Sequence, residues 1–304
     1  MELSAPELAL VASVTICYQP DMDALRRQLE GLHEQVHMRL VVSNSAHSTN
    51  LANLCKILGV HLVQLGTNRG IAHAQNTGIT QAMQQGAHMV LLMDQDSEPQ
   101  PGMVGRLVSA LASNPQAAAA GPSTLDLRSQ QATYFLVDTD KRPRAWVPPT
   151  NGARNPVEVS YLIASGCLFK VSALADIGLM RADWFIDHID TEWGLRARSK
   201  GWTILGVADA QLGHRLGEKM SRIWWLRERQ VPHHSPLRHY YMFRNTILLI
   251  REPFVPWHWK RHHAMRLAKL GGFFLALAPQ RGPRLRMMLQ GLWDGLRGRS
   301  GAKT

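Results

Sequence analysis

At 304 residues, with 45% apolar and 19% charged side chains, the chain can bury a sizeable core and is too apolar for a disordered protein. Its slightly negative mean hydropathy argues against a polytopic membrane protein. The net charge of +11 is lopsided: residues 1–214 hold 16 basic and 19 acidic side chains, whereas residues 215–304 hold 18 against 4. That split predicts a boundary near residue 214, with a main region over 1–214 and a basic, aromatic, helical segment over 215–304. Cys17, Cys55 and Cys167 form neither a disulfide framework nor a zinc spacing, and a reducing cytosol is the expectation. No basic stretch precedes the first apolar run, so no signal peptide is expected, and that run is too short to span a bilayer.

In chain order, residues 8–17 read as a buried strand and 22–35 as a helix. Further strands fall at 38–43, 60–65 and 87–93, with helices at 72–85 and 101–112. This alternation predicts an α/β, Rossmann-like domain with a mostly parallel central sheet. Ligands of such sheets bind past the carboxyl ends of the strands, where Tyr18, Asn44, Asn68 and Asp94 fall. Over 117–158, with Pro143, Pro148, Pro149 and Pro156, the pattern weakens and reads as irregular excursions with one hairpin. Residues 159–169 predict a strand, 190–200 a helix and 202–207 another strand.

The strongest chemical signal is VLLMDQDSE at 90–98, where an apolar strand releases Asp94 and Asp96. Two carboxylates one residue apart can aim at one hard cation, magnesium or manganese, which retains phosphate oxygens in its shell. Such a cation offsets the charge that develops on a diphosphate leaving group. A D-x-D pair alone is common and also suits a surface turn before a helix. The run NRGIAHAQNTG at 68–78 opens a helix, with Gly70 permitting close backbone approach and Asn68 and Asn76 offering amides; a helix N-terminus favours an anion. An ordinary capped helix explains that segment equally well. In DWFIDHIDTEWGLRARSKG, Asp187, Asp190 and Glu192 cluster, and Glu192 and Arg196 are placed to pair at i,i+4. A carboxylate there can accept a proton from a sugar hydroxyl, and Asp190 can equally be a helix N-cap. His214 suits a metal site begun by Asp96, or simply a core or surface position. The basic aromatic tail has the composition of an interfacial helix on anionic lipid, and equally that of an amphipathic bundle; no nucleic-acid motif accompanies it.

Taken together these segments resemble glycosyltransferase family 2, the inverting GT-A-fold enzymes, and more narrowly the bacterial rhamnosyltransferases of O-antigen and cell-surface polysaccharide assembly. The resemblance runs over about residues 10–250. VTICYQP looks like V-T-Y-N-P with an extra residue and Gln19 in place of Asn, VVSNSAHS like V-V-D-N-x-S with Ser43 in place of Asp, and LGTNRGIAHAQNTGI like N-x-G-x-A-x-A-x-N-x-G. MDQDSEP, FIDHIDTEWGLRARSKGW and RHYYMFRNTILL are similar to the D-x-D, F-I-D-x-x-D-x-E-W-x-x-R and Y-Y-x-x-R-N segments of the rhamnosyltransferases. The resemblance implies a nucleotide-sugar-binding part over about 8–115 and an acceptor and catalytic part over about 116–214. It implies donor contacts from Thr15, Tyr18, Pro20, Asn44, Asn68, Gly70, Ala74, Asn76, Asp94, Gln95, Asp96 and Arg244. It implies a divalent cation on Asp94, Asp96 and His214, with Asp190 as base and Glu192 as supporting acid. Ser165, Gly166, Asp187, Trp193 and Asn245 fall on the acceptor side. The expected reaction transfers L-rhamnose from dTDP-L-rhamnose, with inversion, to a lipid-linked or lipopolysaccharide glycan. The expected location is the cytoplasm, peripheral to the inner face of the plasma membrane, with an anionic membrane surface as partner, no nucleic acid and room for a homo-oligomer. A UDP-sugar donor such as UDP-galactofuranose, or a non-catalytic basic module binding membrane or nucleic acid, are the competing readings.

Overall fold

A computed structural model describes residues 10–126, 135–139, 142–147, 155–214, 220–225, 227–232, 235–277 and 281–303. The chain begins with β1 (Val11–Cys17), α1 (Met22–Gly31), β2 (Met38–Ser43), α2 (Thr49–Leu58), β3 (His61–Gln64), α3 (Ile71–Gln84) and β4 (Met89–Asp94). These strands form a parallel ladder ordered β3-β2-β1-β4. β1 is buried along its whole length, as expected of a strand with helices on both faces. Local chemistry sets the helix starts. Asp21 accepts from the Asp23 and Ala24 N–H groups ahead of α1, and Ser48 accepts from Leu51 N–H ahead of α2.

The second half of the sheet is mixed rather than parallel. It is built from β5 (Ser97–Pro99), α4 (Met103–Ala112), β6 (Ala117–Asp126), β7 (Phe135–Val137), β8 (Arg144–Trp146), β9 (Val157–Glu158), β10 (Leu168–Lys170), α5 (Val171–Ile177), α6 (Ile189–Ser199) and β11 (Thr203–His214). A short 3-10 turn, Ala182–Trp184, precedes α6. The full order is β3-β2-β1-β4-β10-β6-β11-β5, with β9 on β11. β10 runs antiparallel to β4 and β6, while β6 and β11 are parallel. The β6–β11 register shifts between Val207 and Gln211, opposite Pro122, where a missing N–H interrupts the ladder.

Several expectations are corrected here. Residues 117–126 are a central strand, because Ala117–Ala120 are fully buried between neighbours despite their weak strand preference. The predicted strand over 159–169 is only Leu168–Lys170; the rest is loop that turns at Gly166, φ +79. The expected hairpin exists as β7–β8. Residues 190–200 are helical as predicted, but His188, not Asp190, occupies the N-cap.

Past β11 come β12 (Met220–Trp225), β13 (Arg227–Pro232), α7 (Pro236–Arg251), α8 (Trp257–Leu277) and α9 (Arg281–Leu296). The IWWLRER stretch, expected to be helical, therefore lies largely in an antiparallel hairpin, in keeping with its β-branched and aromatic content. Residues 8 and 9 of the predicted first strand, and 215–219, 226 and 233–234 of the basic tail, lie outside the described residues. The C-terminal helices share the main core: Leu249, Val255 and Trp259 belong to the same apolar cluster as Val14, Leu92 and Trp193. Asp138 at the end of β7 adds a polar tie. It accepts from Arg198 at 2.6 Å and Trp259 Nε1 at 3.3 Å, and pairs with His258 at 2.8 Å. No helix among the described residues is long and apolar enough to cross a membrane.

Candidate active site

β4 ends on Asp94, and the turn Gln95-Asp96 leads straight into β5. Asp94 is half-buried and Asp96 exposed. Polar side chains hold this turn from three sides. The Asp94 N–H donates to Ser165 Oγ at 3.1 Å, and Ser165 Oγ also meets Ser97 Oγ at 2.9 Å. Gln28, fully buried and in contact with Thr15 Oγ1, donates to the Asp94 carbonyl at 3.2 Å. The Gln95 amide pairs with the Tyr18 backbone, accepting at 2.7 Å and donating at 3.3 Å. That last pair locks the loop after β1 to the carboxylate turn. In that loop Tyr18 is exposed and Pro20 half-buried.

β5 pairs antiparallel with β11 so that His214 lies opposite Ser97, one residue from Asp96. The His214 side chain lies outside the described part of the chain. Among the described residues no three His, Cys, Asp or Glu side chains gather into a metal set. The two carboxylates at the turn, with phosphate oxygens from a ligand, nonetheless form a hard-oxygen donor set suited to magnesium or manganese.

A second latch joins the ends of β2 and β3. Asn44, 4% exposed, donates to Asn68 Oδ1 at 3.1 Å and accepts from Arg69 N–H at 2.8 Å. Asn68 Oδ1 also accepts from Gly70 N–H at 3.0 Å. Gly70, φ +89, turns the chain into α3, and a Cβ there would meet the Phe185 carbonyl oxygen at 2.7 Å. Only glycine fits both the conformation and the contact. No side chain among the described residues caps α3; instead the Phe185 carbonyl accepts from Ile71 N–H at 2.8 Å, which ties the start of the helix to the 185–190 loop.

That loop is the most constrained backbone of the described chain. Phe185, Asp187 and His188 all have positive φ, at 68°, 66° and 63°. Non-glycine residues in this region cost about 1–3 kcal/mol each and persist only where surroundings impose them. α7 supplies the restraint. Asn245 Nδ2 lies within hydrogen-bonding distance of the carbonyls of Trp184 (3.0 Å), Ile186 (2.6 Å) and Asp187 (3.1 Å). Arg244 also donates to Trp184 O at 2.9 Å and to Gly301 O at 2.6 Å, and its Nε donates to Asn245 Oδ1. Tyr241 stacks on Phe185 at 5.0 Å. Asn76 on α3 holds the approach to the loop, bonding both the N–H and C=O of Met180.

The loop delivers Asp190 to the first turn of α6. One of its oxygens accepts from Thr191 N–H at 2.8 Å. Loss of hydration raises the Asp190 pKa above the ordinary carboxylate range, and the charge of Asp187 pushes the same way. Two residues on, Glu192 is fully buried in a bidentate pair with Arg196, at 2.7 and 3.0 Å. Burial raises its pKa too, while Arg196 opposes the shift.

Between the sheet end and the C-terminal helices lies a cavity of about 350 Å³. It is lined by Asp94, Ser165 and Gln75, by Asp187 and Asp190, and by Arg238, Met242, His263 and Arg266 of α7 and α8. The sequence did not single out Gln75, Arg238, Met242, Thr246, His263 and Arg266, although Gln75 lies in the 68–78 segment and Arg238, Met242 and Thr246 lie in RHYYMFRNTILL. Of the residues it did single out, Asp94, Ser165, Asp187 and Asp190 meet here. Others face protein rather than cavity. Ala74, Glu192 and Trp193 are buried, the last donating to Gly178 O, and Thr15 is in β1 against Gln28. Arg244, expected among the donor contacts, and Asn245, expected on the acceptor side, are buried as the clamp on the loop, and Asn76 holds its approach. Gly166 supplies a turn conformation beside Ser165.

The family model for Glycosyl transferase family 2 matches residues 13–178. The chain is 34% identical over 247 residues to the dTDP-rhamnosyl transferase RfbF of Shigella flexneri, covering 81% of each chain. In fold it is similar to GalNAc-T7, crystallised with UDP, GalNAc and Mn2+, at a TM-score of 0.60 and 11% identity, over 90% of this chain and 59% of that one. It is similar also to S. aureus TarS residues 1–349, at a TM-score of 0.58 and 14% identity, over 95% and 82% of the two chains.

Proposed function

The chain belongs to glycosyl transferase family 2, and from that membership we propose that it transfers L-rhamnose from dTDP-L-rhamnose to a hydroxyl of a lipid-linked or lipopolysaccharide glycan, with inversion. Membership of an enzyme family displaces the reading as a non-catalytic basic module. The observation that carries the reaction is the meeting of Asp94 and Asp190 across one cavity, at the end of a strand and at the start of a helix. The named activity of the 34%-identical relative favours dTDP-L-rhamnose over a UDP-sugar.

In this reading the nucleoside sits against Tyr18, Pro20, Asn44 and Asn68. Asp94 and Asp96, with His214, would hold a magnesium or manganese ion, which would supply positive charge against the diphosphate leaving group. Asp190 takes the proton from the acceptor hydroxyl as it attacks the anomeric carbon on the face opposite the leaving group. Its raised pKa brings it closer to neutrality and makes it a stronger base. Glu192 and Arg196 fix the helix that carries it. Incubation with dTDP-L-rhamnose and, separately, UDP-galactofuranose tests the donor. Release of dTDP at the higher rate is expected; faster release of UDP would redirect the donor to UDP-sugars.

The reading includes an anionic membrane surface as the place of work, at the cytoplasmic face. On α9, Leu285, Leu289, Trp293 and Leu296 are exposed at helical spacing, and Arg297 packs over Trp293 at 4.1 Å. Arg281 and Arg286 are exposed on the same helix. A second copy would bring like charge against this face, whereas anionic headgroups complement it. Replacing Leu289 and Trp293 together by Ser is expected to weaken binding to phosphatidylglycerol vesicles about tenfold or more, since burying each apolar side chain is worth roughly 1.5–3 kcal/mol. Unchanged sedimentation with vesicles by the folded double variant would remove α9 from the docking surface.

A further inference from the structure

Two buried polar groups of the cavity stand apart from the donor and base machinery. His263 of α8 is 1% exposed, and both its ring nitrogens lack a hydrogen-bond partner among the described residues. Gln75 of α3 is 3% exposed, and its Oε1 likewise has none. Both line the cavity that holds Asp190. Buried polar groups without partners are rare in proteins and call for an explanation.

We infer that His263 and Gln75 recognise hydroxyl groups of an uncharged sugar ring at the acceptor end, so that α8 completes an acceptor subsite facing Asp190. This rests on the glycosyltransferase reading and adds a ligand class and two residues to it. The chemistry of the two groups selects the ligand. Gln75 Oε1 only accepts hydrogen bonds, so it repels a phosphate or carboxylate oxygen and pairs with a donor. His263 is neutral: loss of hydration lowers its pKa to about 2, with His188, His262 and Arg266 adding to the shift. A neutral imidazole offers one donor and one acceptor, the same pair that a hydroxyl offers.

The imidazole is also held in place. It stacks on Trp259 at 5.4 Å and meets the edge of His188 at 5.1 Å. His188 Nε2 is in turn bonded to Thr246 Oγ1 at 2.9 Å. A ring fixed before the ligand arrives loses little freedom on binding. Ile163, Met242, Leu267 and Leu270 supply apolar wall for the C–H faces of a sugar. The inner cavity therefore suits a neutral hexose or 6-deoxyhexose, and the exposed Arg266 leaves any anionic part of the acceptor towards the outside.

Saturation-transfer difference NMR tests this, using methyl glycosides of neutral hexoses and 6-deoxyhexoses with methyl glucuronoside as the charged probe. The protein is saturated with manganese and dTDP, and dTDP binding is followed in parallel by thermal shift. The variants are His263→Phe, which keeps the aromatic packing, and Gln75→Met on α3, which serves if the first does not fold. At least one neutral glycoside is expected to bind wild type in preference to the glucuronoside. Its binding should weaken about tenfold in either variant while dTDP binding is retained. Neutral glycosides that bind wild type and both folded variants alike, or a preference for the glucuronoside, would overturn the subsite. So would wild type that binds dTDP but no glycoside. Failure of wild type to bind any nucleoside diphosphate would overturn the glycosyltransferase reading beneath it.

Discussion

Asp190→Asn is expected to fold, to bind nucleotide as wild type does, and to lose transfer by about 10²–10⁴-fold, the usual contribution of a positioned general base. The amide keeps the shape of the carboxylate and can still accept from Thr191 N–H, so the start of α6 is preserved. Two pH signatures accompany the loss. Wild-type transfer should fall on the acid side through a pKa above the ordinary carboxylate value of about 3.9, because Asp190 must be ionised to act and its pKa is raised. A carboxyl whose folded pKa is raised favours the folded state below its unfolded pKa, and that contribution is lost as pH rises through the folded value. The substituted amide has no charge to bury, so the variant should match or exceed wild-type thermal stability at neutral pH and lose that advantage in acid. Steady-state rates and melting curves across pH check both. A folded variant with near wild-type transfer would remove Asp190 as the base.

Asn245→Ala should combine lower stability with a disabled site. The substitution leaves the Ile186 and Asp187 carbonyls without their shared donor and Arg244 Nε without its acceptor, while the Trp184 carbonyl keeps Arg244. Leaving one such buried group unpaired costs about 1–3 kcal/mol, so the whole change is on the order of 3 kcal/mol or more. The loop would also be free to leave the positive-φ conformations of Phe185, Asp187 and His188. Well below the melting temperature, transfer should fall about tenfold or more, because small misplacements of reacting groups are costly. Nucleotide binding should hold, since Tyr18, Asn44 and Asn68 are fixed by separate contacts. Wild-type turnover by the folded variant would show that the loop needs no clamp.

The N-terminal half of the fold and the donor side were legible because period and position coincide there. Apolar runs end at Tyr18, Asn44 and Asp94, and a parallel ladder puts those ends on one edge of the sheet. The i,i+4 pair of Glu192 and Arg196 was legible for the same local reason. α2 was overlooked, although Ser48 caps it and Leu51, Leu54, Cys55 and Leu58 carry the helical spacing. β6 was hidden by its alanines, whose strand is imposed by the neighbours that bury them. The helical wall of the cavity could not be read, because His263 and Arg266 come together with Asp190 only after the chain has made β11 through α8. The YYMFRN motif was found but its use was not. Arg244 and Asn245 look like ligand contacts in a string of letters, and the structure commits them to loop carbonyls, beside the Tyr241 ring stacked on Phe185.

The central claim is a cation-assisted nucleoside diphosphate site that begins at Asp94 and Asp96. A thermal shift of the purified protein with manganese or magnesium, against a panel of nucleoside diphosphates and alongside Asp96→Ala, tests it most directly. Saturation at about 100 times the dissociation constant stabilises by roughly 2.7 kcal/mol, a rise of about 4 °C for a chain of this size. The account predicts that rise with dTDP, dependent on the metal and lost in Asp96→Ala. No response to any nucleoside diphosphate from a well-folded wild-type sample would contradict it.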